Sequence, residues 1–193
     1  MRICVYGASG SHLDPAYFDA ARELGLLLAK NGHALVFGGG ASGLMGACAK
    51  GAEAGGGEII GIAPRFFDEP GILFPRCSRF VYTDTMAQRK TAMFDESDAF
   101  IALPGGIGTF EEFFETLTLK QLGRHAKPMA LLNTLDYYAP LSAMLERAAE
   151  DGFLSRRCFS LFALCEKPED ALRHVLTEKA PAGDLNRLED YSR

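Results

Sequence analysis

The sequence is short of several features that would each name a class of function. Its 20 Lys and Arg are outnumbered by 25 Asp and Glu, and the cations are scattered rather than run together. No basic stripe of the kind that tracks a phosphate backbone can be read, so nucleic acid is not an expected partner. Five cysteines, Cys4, Cys48, Cys77, Cys158 and Cys165, form an odd set with no CxxC pair. That excludes a zinc ribbon and argues against a disulfide framework; it suits a reducing cytosol, with most of these thiols acting as small core residues. No apolar run reaches the length of a membrane span or a signal-peptide core, and the chain enters a strand pattern at Arg2, so no targeting or anchoring segment is expected and the protein is read as cytoplasmic. No GxxxxGK[ST] is present, which removes a Walker-type ATP site. His12, His33, His125 and His174 lack metal-ligand spacing, so no metal is assigned.

What is present is an alternation. Of 193 residues, 48% are hydrophobic, enough for one sizeable core. Short β-branched or aromatic runs at 2–6, 34–37, 59–63, 80–82, 99–103, 129–132 and 159–164 are each read as strands. Between them lie helical spacings at 44–54, 85–97, 109–122, 138–151 and 168–177, and a first helix opening with Asp14 as N-cap and Pro15 at its first position and stopping near Asn31-Gly32. This is the rhythm of βαβ units. It predicts a single α/β domain over residues 1–178: a doubly wound, mainly parallel, Rossmann-like sheet with helices on both faces. Residues 65–79, with three of the chain's prolines nearby and little periodicity, read as a long connection carrying at most a short helix, of the sort that sits over active sites. Residues 179–193 read as a mobile polar tail.

Open α/β sheets bind ligands where their strands end at the carboxyl side. Two glycine loops fall there. Gly38 to Gly46 contains GxGxxG, but it follows the second strand and no acidic residue closes the next one, so it is a poor dinucleotide fingerprint. Close strand–helix packing and ligand binding both remain open for it. The second loop, Pro104-Gly105-Gly106-Ile107-Gly108-Thr109, sits between the most apolar strand and a helix. Its glycines let backbone N–H groups close on an anion at the positive end of the helix. The competing account is a capping box, with Thr109 as N-cap and Glu112 folding back on it, which explains those two residues but not three glycines. A third feature is Arg89-Lys90, early in a helix opened by the Thr83–Thr85 cap. Cations there oppose the helix dipole. They are either a solvated face or ligands for a phosphate, ribose or carboxylate, with Arg89 the stronger candidate because its fork suits bidentate partners.

Taken together these residues resemble the LOG family, the cytokinin riboside 5′-monophosphate phosphoribohydrolases, whose bacterial members were often labelled lysine decarboxylases. The family pattern PGGxGTxxE is met by Pro104, Gly105, Gly106, Gly108, Thr109 and Glu112; MxxRK is met by Met86, Arg89 and Lys90; and GGGxxGLMG spans Gly38 to Gly46. The likeness covers about residues 1–177. Ile107 stands where many members carry Tyr, and Ala87 where many carry His, departures that bear on selectivity rather than on the reaction. The resemblance implies that Arg89 and Glu112 are the catalytic pair and that Gly105, Gly106, Gly108 and Thr109 hold a 5′-phosphate. Gly39, Gly40, Met86, Lys90 and Pro104 complete the expected substrate-binding set. It further implies a homodimer or larger assembly with shared sites, and no cofactor. The decarboxylase label fails on chemistry, since no pyridoxal-binding signature surrounds any Lys.

The implied reaction is cleavage of the N-glycosidic bond of an adenine-type nucleoside 5′-monophosphate to free base and ribose 5-phosphate. Glu112 is expected to stabilise an oxocarbenium-like ribosyl group and to align or deprotonate the attacking water. Arg89 is expected to orient Glu112 or the sugar. Glu111 points about 100° away on a helix and cannot serve as a second carboxylate on the same carbon. The alternatives are an AMP nucleosidase indifferent to the N6 group and a non-catalytic protein of similar fold that carries a nucleotide or pterin cofactor.

Overall fold

The computed structural model describes residues 1–178; the tail expected at 179–193 lies outside the described residues. Seven strands, β1 (Arg2–Tyr6), β2 (Ala34–Phe37), β3 (Ile59–Pro64), β4 (Arg79–Thr83), β5 (Ala99–Ala102), β6 (Met129–Leu132) and β7 (Ala163–Cys165), form one sheet in the order β4-β3-β2-β1-β5-β6-β7. Every pairing is parallel. Five helices connect strands, α1 (Pro15–Lys30), α2 (Gly43–Ala54), α3 (Met86–Asp95), α4 (Ile107–Gln121) and α5 (Ala139–Glu150), and a sixth, α6 (Pro168–Thr177), follows β7.

Handedness explains where the helices lie. The chain steps outward from β1 to β4, then returns to the far side of β1 to lay down β5, β6 and β7. Right-handed crossovers put the connecting helices of the outward and return legs on opposite faces. One core accordingly joins Leu24 and Leu28 of α1, Leu44 and Ala49 of α2, and Leu172 and Val175 of α6. The other joins Met93 of α3 with Phe113 and Leu117 of α4. Each strand supplies both by alternation: Ile3 and Val5 enter the first core, Cys4 and Tyr6 the second. The order reverses between β1 and β5, and a crevice opens at their carboxyl ends.

Helix starts follow local chemistry. Asp14 accepts from Ala16 N with Pro15 at the first position. Thr85 and Gln88 form a full capping box on α3, so Arg89 and Lys90 fall in its first turn and a half. Two expectations need correction. Phe159–Ser160 belong to a 3-10 turn, Arg156–Ser160, and only Ala163–Cys165 is strand; Leu161 reaches the core from the bend, fully buried, so an apolar run is satisfied without a ladder. Thr109 is not an N-cap. Helix α4 begins two residues earlier with extended Gly106 as N-cap, which puts Thr109 inside the first turn and leaves Glu112 outside any capping box.

Candidate active site

The crevice is a cavity of about 660 Å³. The ends of β1, β2 and β5 form its floor through Gly7 and Ala8, Gly38 and Gly40, and Gly106 and Gly108, while Met86, Arg89, Lys90, Glu111 and Glu112 form a wall from α3 and α4. Arg89 does not arrive there because its strand, β4, neighbours the glycine loop. β4 is a sheet edge, with three strands between it and β5. The return crossover must pass back over the sheet, and α3 therefore carries Arg89 inward to the reversal point.

At the centre, Arg89 Nη1 donates to Glu112 Oε1 at 2.6 Å, with the side chains only 9% and 11% exposed. Burial raises the Glu112 carboxyl above its ordinary range, while the Arg89 guanidinium pulls it back down. Arg89 Nε has no partner among the described residues. Buried polar atoms are rarely left so unless a ligand or water completes them. The guanidinium lies against Gly38: a Cβ there would sit 2.0 Å from Nη2.

The first glycine loop is chiefly a packing device. Gly39 has φ +76° and a Cβ on it would meet the Phe80 ring at 2.7 Å, while one on Gly43, at φ +62°, would meet the Ala8 carbonyl at 2.3 Å. Of this loop Gly38, Gly40, Ser42 and Met45 reach the cavity, and Gly39 does not.

The second loop divides differently. A Cβ on Gly105 would strike Thr109 Oγ1 at 2.1 Å, so Gly105 serves the packing of buried Thr109. Gly106 and Gly108 have nothing within 4 Å of an added Cβ, and both line the cavity. No neighbour in the fold demands glycine at either position. Helix α4 also has no side-chain cap, which leaves the N–H groups of Ile107, Gly108 and Thr109 without intrahelical partners at the positive end of a four-turn helix. The loop is held from behind: Tyr137 Oη donates to the Gly105 carbonyl, Tyr138 Oη to Leu103 at 2.7 Å, and Ala8 N to Pro104 at 3.1 Å. Pro104 and Gly105 thus frame the cradle, and Gly106, Gly108 and Thr109 line it.

Lys90 lines the cavity, but its ammonium is taken by Glu111 and Glu115, which hold its pKa above the usual lysine value. Ser9 borders the cavity, and none of the four histidines does. Among the described residues no group of three His, Cys, Asp or Glu side chains could hold a metal ion. Sequence inspection did not find Phe67, Ile72 and Leu73, which close the cavity from the 65–79 connection. That segment is fastened by Ala41 N to the Ile72 carbonyl at 2.9 Å and Phe74 N to the Gly39 carbonyl at 2.8 Å. These are non-local pairings that no periodicity announces.

Comparison with known proteins identifies the family. A family model described as "Possible lysine decarboxylase" matches residues 45–175. The chain is 39% identical over 191 residues to the cytokinin riboside 5′-monophosphate phosphoribohydrolase LOG1 of Arabidopsis thaliana, covering 98% of this chain and 83% of that protein. It is 42% identical over 183 residues to LOG2 of the same plant, covering 95% and 85%. Among solved structures, the molybdenum cofactor carrier protein of Chlamydomonas reinhardtii shares the fold with a TM-score of 0.69 at 24% identity, over 92% of this chain and 98% of that one. The molybdenum cofactor binding protein of Rippkaea orientalis does so with a TM-score of 0.68 at 23% identity, over 89% and 93%. With relatives near 40% identity over nearly its whole length, the chain belongs to the LOG family.

Proposed function

We propose that this protein is a nucleoside 5′-monophosphate phosphoribohydrolase acting on adenine-type substrates, a cytokinin riboside 5′-monophosphate, AMP or both. The observation that carries this is the buried Arg89–Glu112 pair facing the same cavity as the uncapped start of α4. Gly108 and Glu112 are four residues apart on one helix, a rise of about 6 Å. A phosphate on the α4 N–H groups therefore brings the anomeric carbon of its own ribose to the carboxylate. Water adds to C1′ as the bond to the purine nitrogen breaks, and the departing base takes up a proton. Ionised Glu112 aligns that water and offsets positive charge on the ribosyl carbon; Arg89 holds Glu112 in place and keeps it charged. The names of LOG1 and LOG2 describe the same reaction. A pyridoxal-dependent decarboxylase needs a lysine that sheds its proton, and Lys90, which borders this cavity, is held protonated by two carboxylates.

The deciding experiment incubates the protein with AMP, with isopentenyladenosine 5′-monophosphate and with the two matching nucleosides, and separates free base from each. Both monophosphates, or one of them, should be cut at least about 10²-fold faster than the nucleoside, since phosphate binding energy is spent at the reacting carbon. Equal rates with and without phosphate would refute the cradle. Gly106→Val should fold, because its Cβ has room, and should raise KM for the monophosphate by intruding on the anion site.

The same reading includes a homodimer or larger assembly and residence in the cytoplasm. Helix α5 has no fully buried residue, and Met144 and Phe153 are 67% and 86% exposed on that side of the sheet, a surface that a second copy would cover. Cys4, Cys48, Cys77 and Cys165 are free thiols, and no helix among the described residues is long and apolar enough to cross a membrane. Light scattering at micromolar concentration should return at least twice the monomer mass; a monomer would count against shared sites.

A further inference from the structure

Lys90 was expected at the substrate, yet its ammonium is committed within the protein. Its Nζ lies 2.7 Å from Glu111 Oε1 and 3.0 Å from Glu115 Oε2. Those two carboxylates are one turn apart on α4, so both can reach one cation on α3. Glu112 stands between them in sequence and faces inward to Arg89. A second cavity, of about 140 Å³ and lined by Tyr6, Met93, Phe94 and Leu119, shares Lys90 and Glu112 with the main one. Lys90 is therefore part of the partition between the two cavities, beside the reacting carboxylate.

The local charge is unbalanced without it. Three carboxylates, Glu111, Glu112 and Glu115, gather on α4 opposite two cations, Arg89 and Lys90, on α3. Cys4 and Tyr6 of β1 also interact with Glu112, but burial raises both and keeps them neutral. Without Lys90, three negative charges would face one positive charge; Glu111 and Glu115 are about half exposed, so water screens them in part, whereas Glu112 is buried and feels what remains.

We propose that Lys90 is a positioning residue rather than a substrate ligand: by bridging Glu111 and Glu115 it clamps α3 onto α4 and cancels the negative charge crowding Glu112, so that the Arg89–Glu112 pair stays closed and ionised. This rests on the hydrolase reading for its kinetic consequence, but not for its electrostatic one. Glu111 raises the Glu112 carboxyl and Lys90 lowers it, in the sense the clamp requires.

The test combines carboxyl carbon-13 NMR of the intact protein, with the Glu112 resonance assigned by its loss in Glu112→Gln, and the pH profile of kcat/KM. In Lys90→Met, Glu112 should titrate at higher pH than in the wild type, and kcat/KM should fall by about tenfold on the acid limb while recovering toward alkaline pH. Lys90→Arg should restore the wild-type profile. The triple variant Lys90→Met, Glu111→Gln, Glu115→Gln should bring both the titration and the acid limb back. If Lys90→Met does not fold, Glu111→Gln with Glu115→Gln tests the same balance in reverse, and Glu112 should titrate lower. An unmoved Glu112 titration in these variants overturns the proposal. So does a KM raised equally at every pH in Lys90→Met and in the triple variant, the signature of a lost substrate contact. The NMR titration needs no turnover, so a wild type that releases no base would defeat the hydrolase reading and leave the clamp to be decided on its own.

Discussion

Glu112→Gln should give a folded protein that still binds AMP and releases base at least about 10²-fold more slowly than the wild type. The amide can accept the hydrogen bond from Arg89 Nη1, so the packing of α3 on α4 survives. It can neither take a proton from water nor offset positive charge on a ribosyl carbon. Two opposing effects act on stability. The substitution removes a carboxylate that burial already disfavours, and it deprives Arg89 of its counter-charge. The melting temperature should therefore move by only a few degrees, about 1–2 kcal/mol for a domain of this size. Glu111→Gln, at an exposed side chain paired with Lys90, should be far milder. Wild-type turnover in folded Glu112→Gln would sink the catalytic assignment, and the capping explanation is no longer there to receive it, since α4 starts at Ile107.

The raised carboxyl has a consequence for pH. A reaction that needs ionised Glu112 should lose kcat/KM as pH falls, and the acid limb should begin above the ordinary glutamate range of about 4.3. The stability sign is opposite. A carboxyl whose folded pKa is raised favours the folded state when protonated, and that contribution is lost as pH rises through the folded pKa. Activity and this group's share of stability therefore run in opposite directions across the same window, as expected of a charge buried for function.

Periodicity and local caps made much of this fold legible. The run Ala99–Ala102 is buried on both faces and reads as continuous apolar sequence because helices cover both sides of the sheet. Helix α6 opens with Pro168 at its first position, and the cap of α3 is local too, Thr85 accepting from Gln88 N three residues on. What failed was non-local. The 159–164 run has the same composition whether it pairs with β6 or turns into the core, and only the neighbouring helices decide. Thr109 and Glu112 satisfy a capping pattern, but Gly106, free to adopt an extended conformation, starts the helix first. Lys90 matched a binding motif by position, while the carboxylates that take its charge lie on another helix twenty-one and twenty-five residues away. The cavity's closure by Phe67 and Ile72 depends on a backbone pairing with the first glycine loop that leaves no mark on the sequence.

Gly38→Ala should reproduce much of the loss expected for Arg89→Ala, although it alters no group that touches the chemistry. Arg89→Ala removes the only side chain that hydrogen-bonds the Glu112 carboxylate among the described residues and leaves that carboxylate buried without a partner. It should protonate at a higher pH, and turnover should fall by about 10²-fold or more. At Gly38 the φ angle is in the ordinary range, so alanine brings no backbone strain; its Cβ instead falls 2.0 Å from Arg89 Nη2 and 3.1 Å from Cζ. The guanidinium has to retreat, and its route is restricted because the side chain is 9% exposed and its Nη1 is tied to Glu112. A displacement of about 1 Å at a catalytic pair commonly costs 10²-fold in rate. Two measurements separate displacement from collapse of the fold. The Gly38→Ala protein should keep a cooperative melt and the NMR spectrum of residues away from the site, while Glu112 titrates at higher pH as it does in Arg89→Ala. The double variant Gly38→Ala, Arg89→Ala should be little slower than Arg89→Ala alone, because the methyl group then has nothing to push. Additive losses would show that Gly38 serves the cavity in some way other than making room for Arg89.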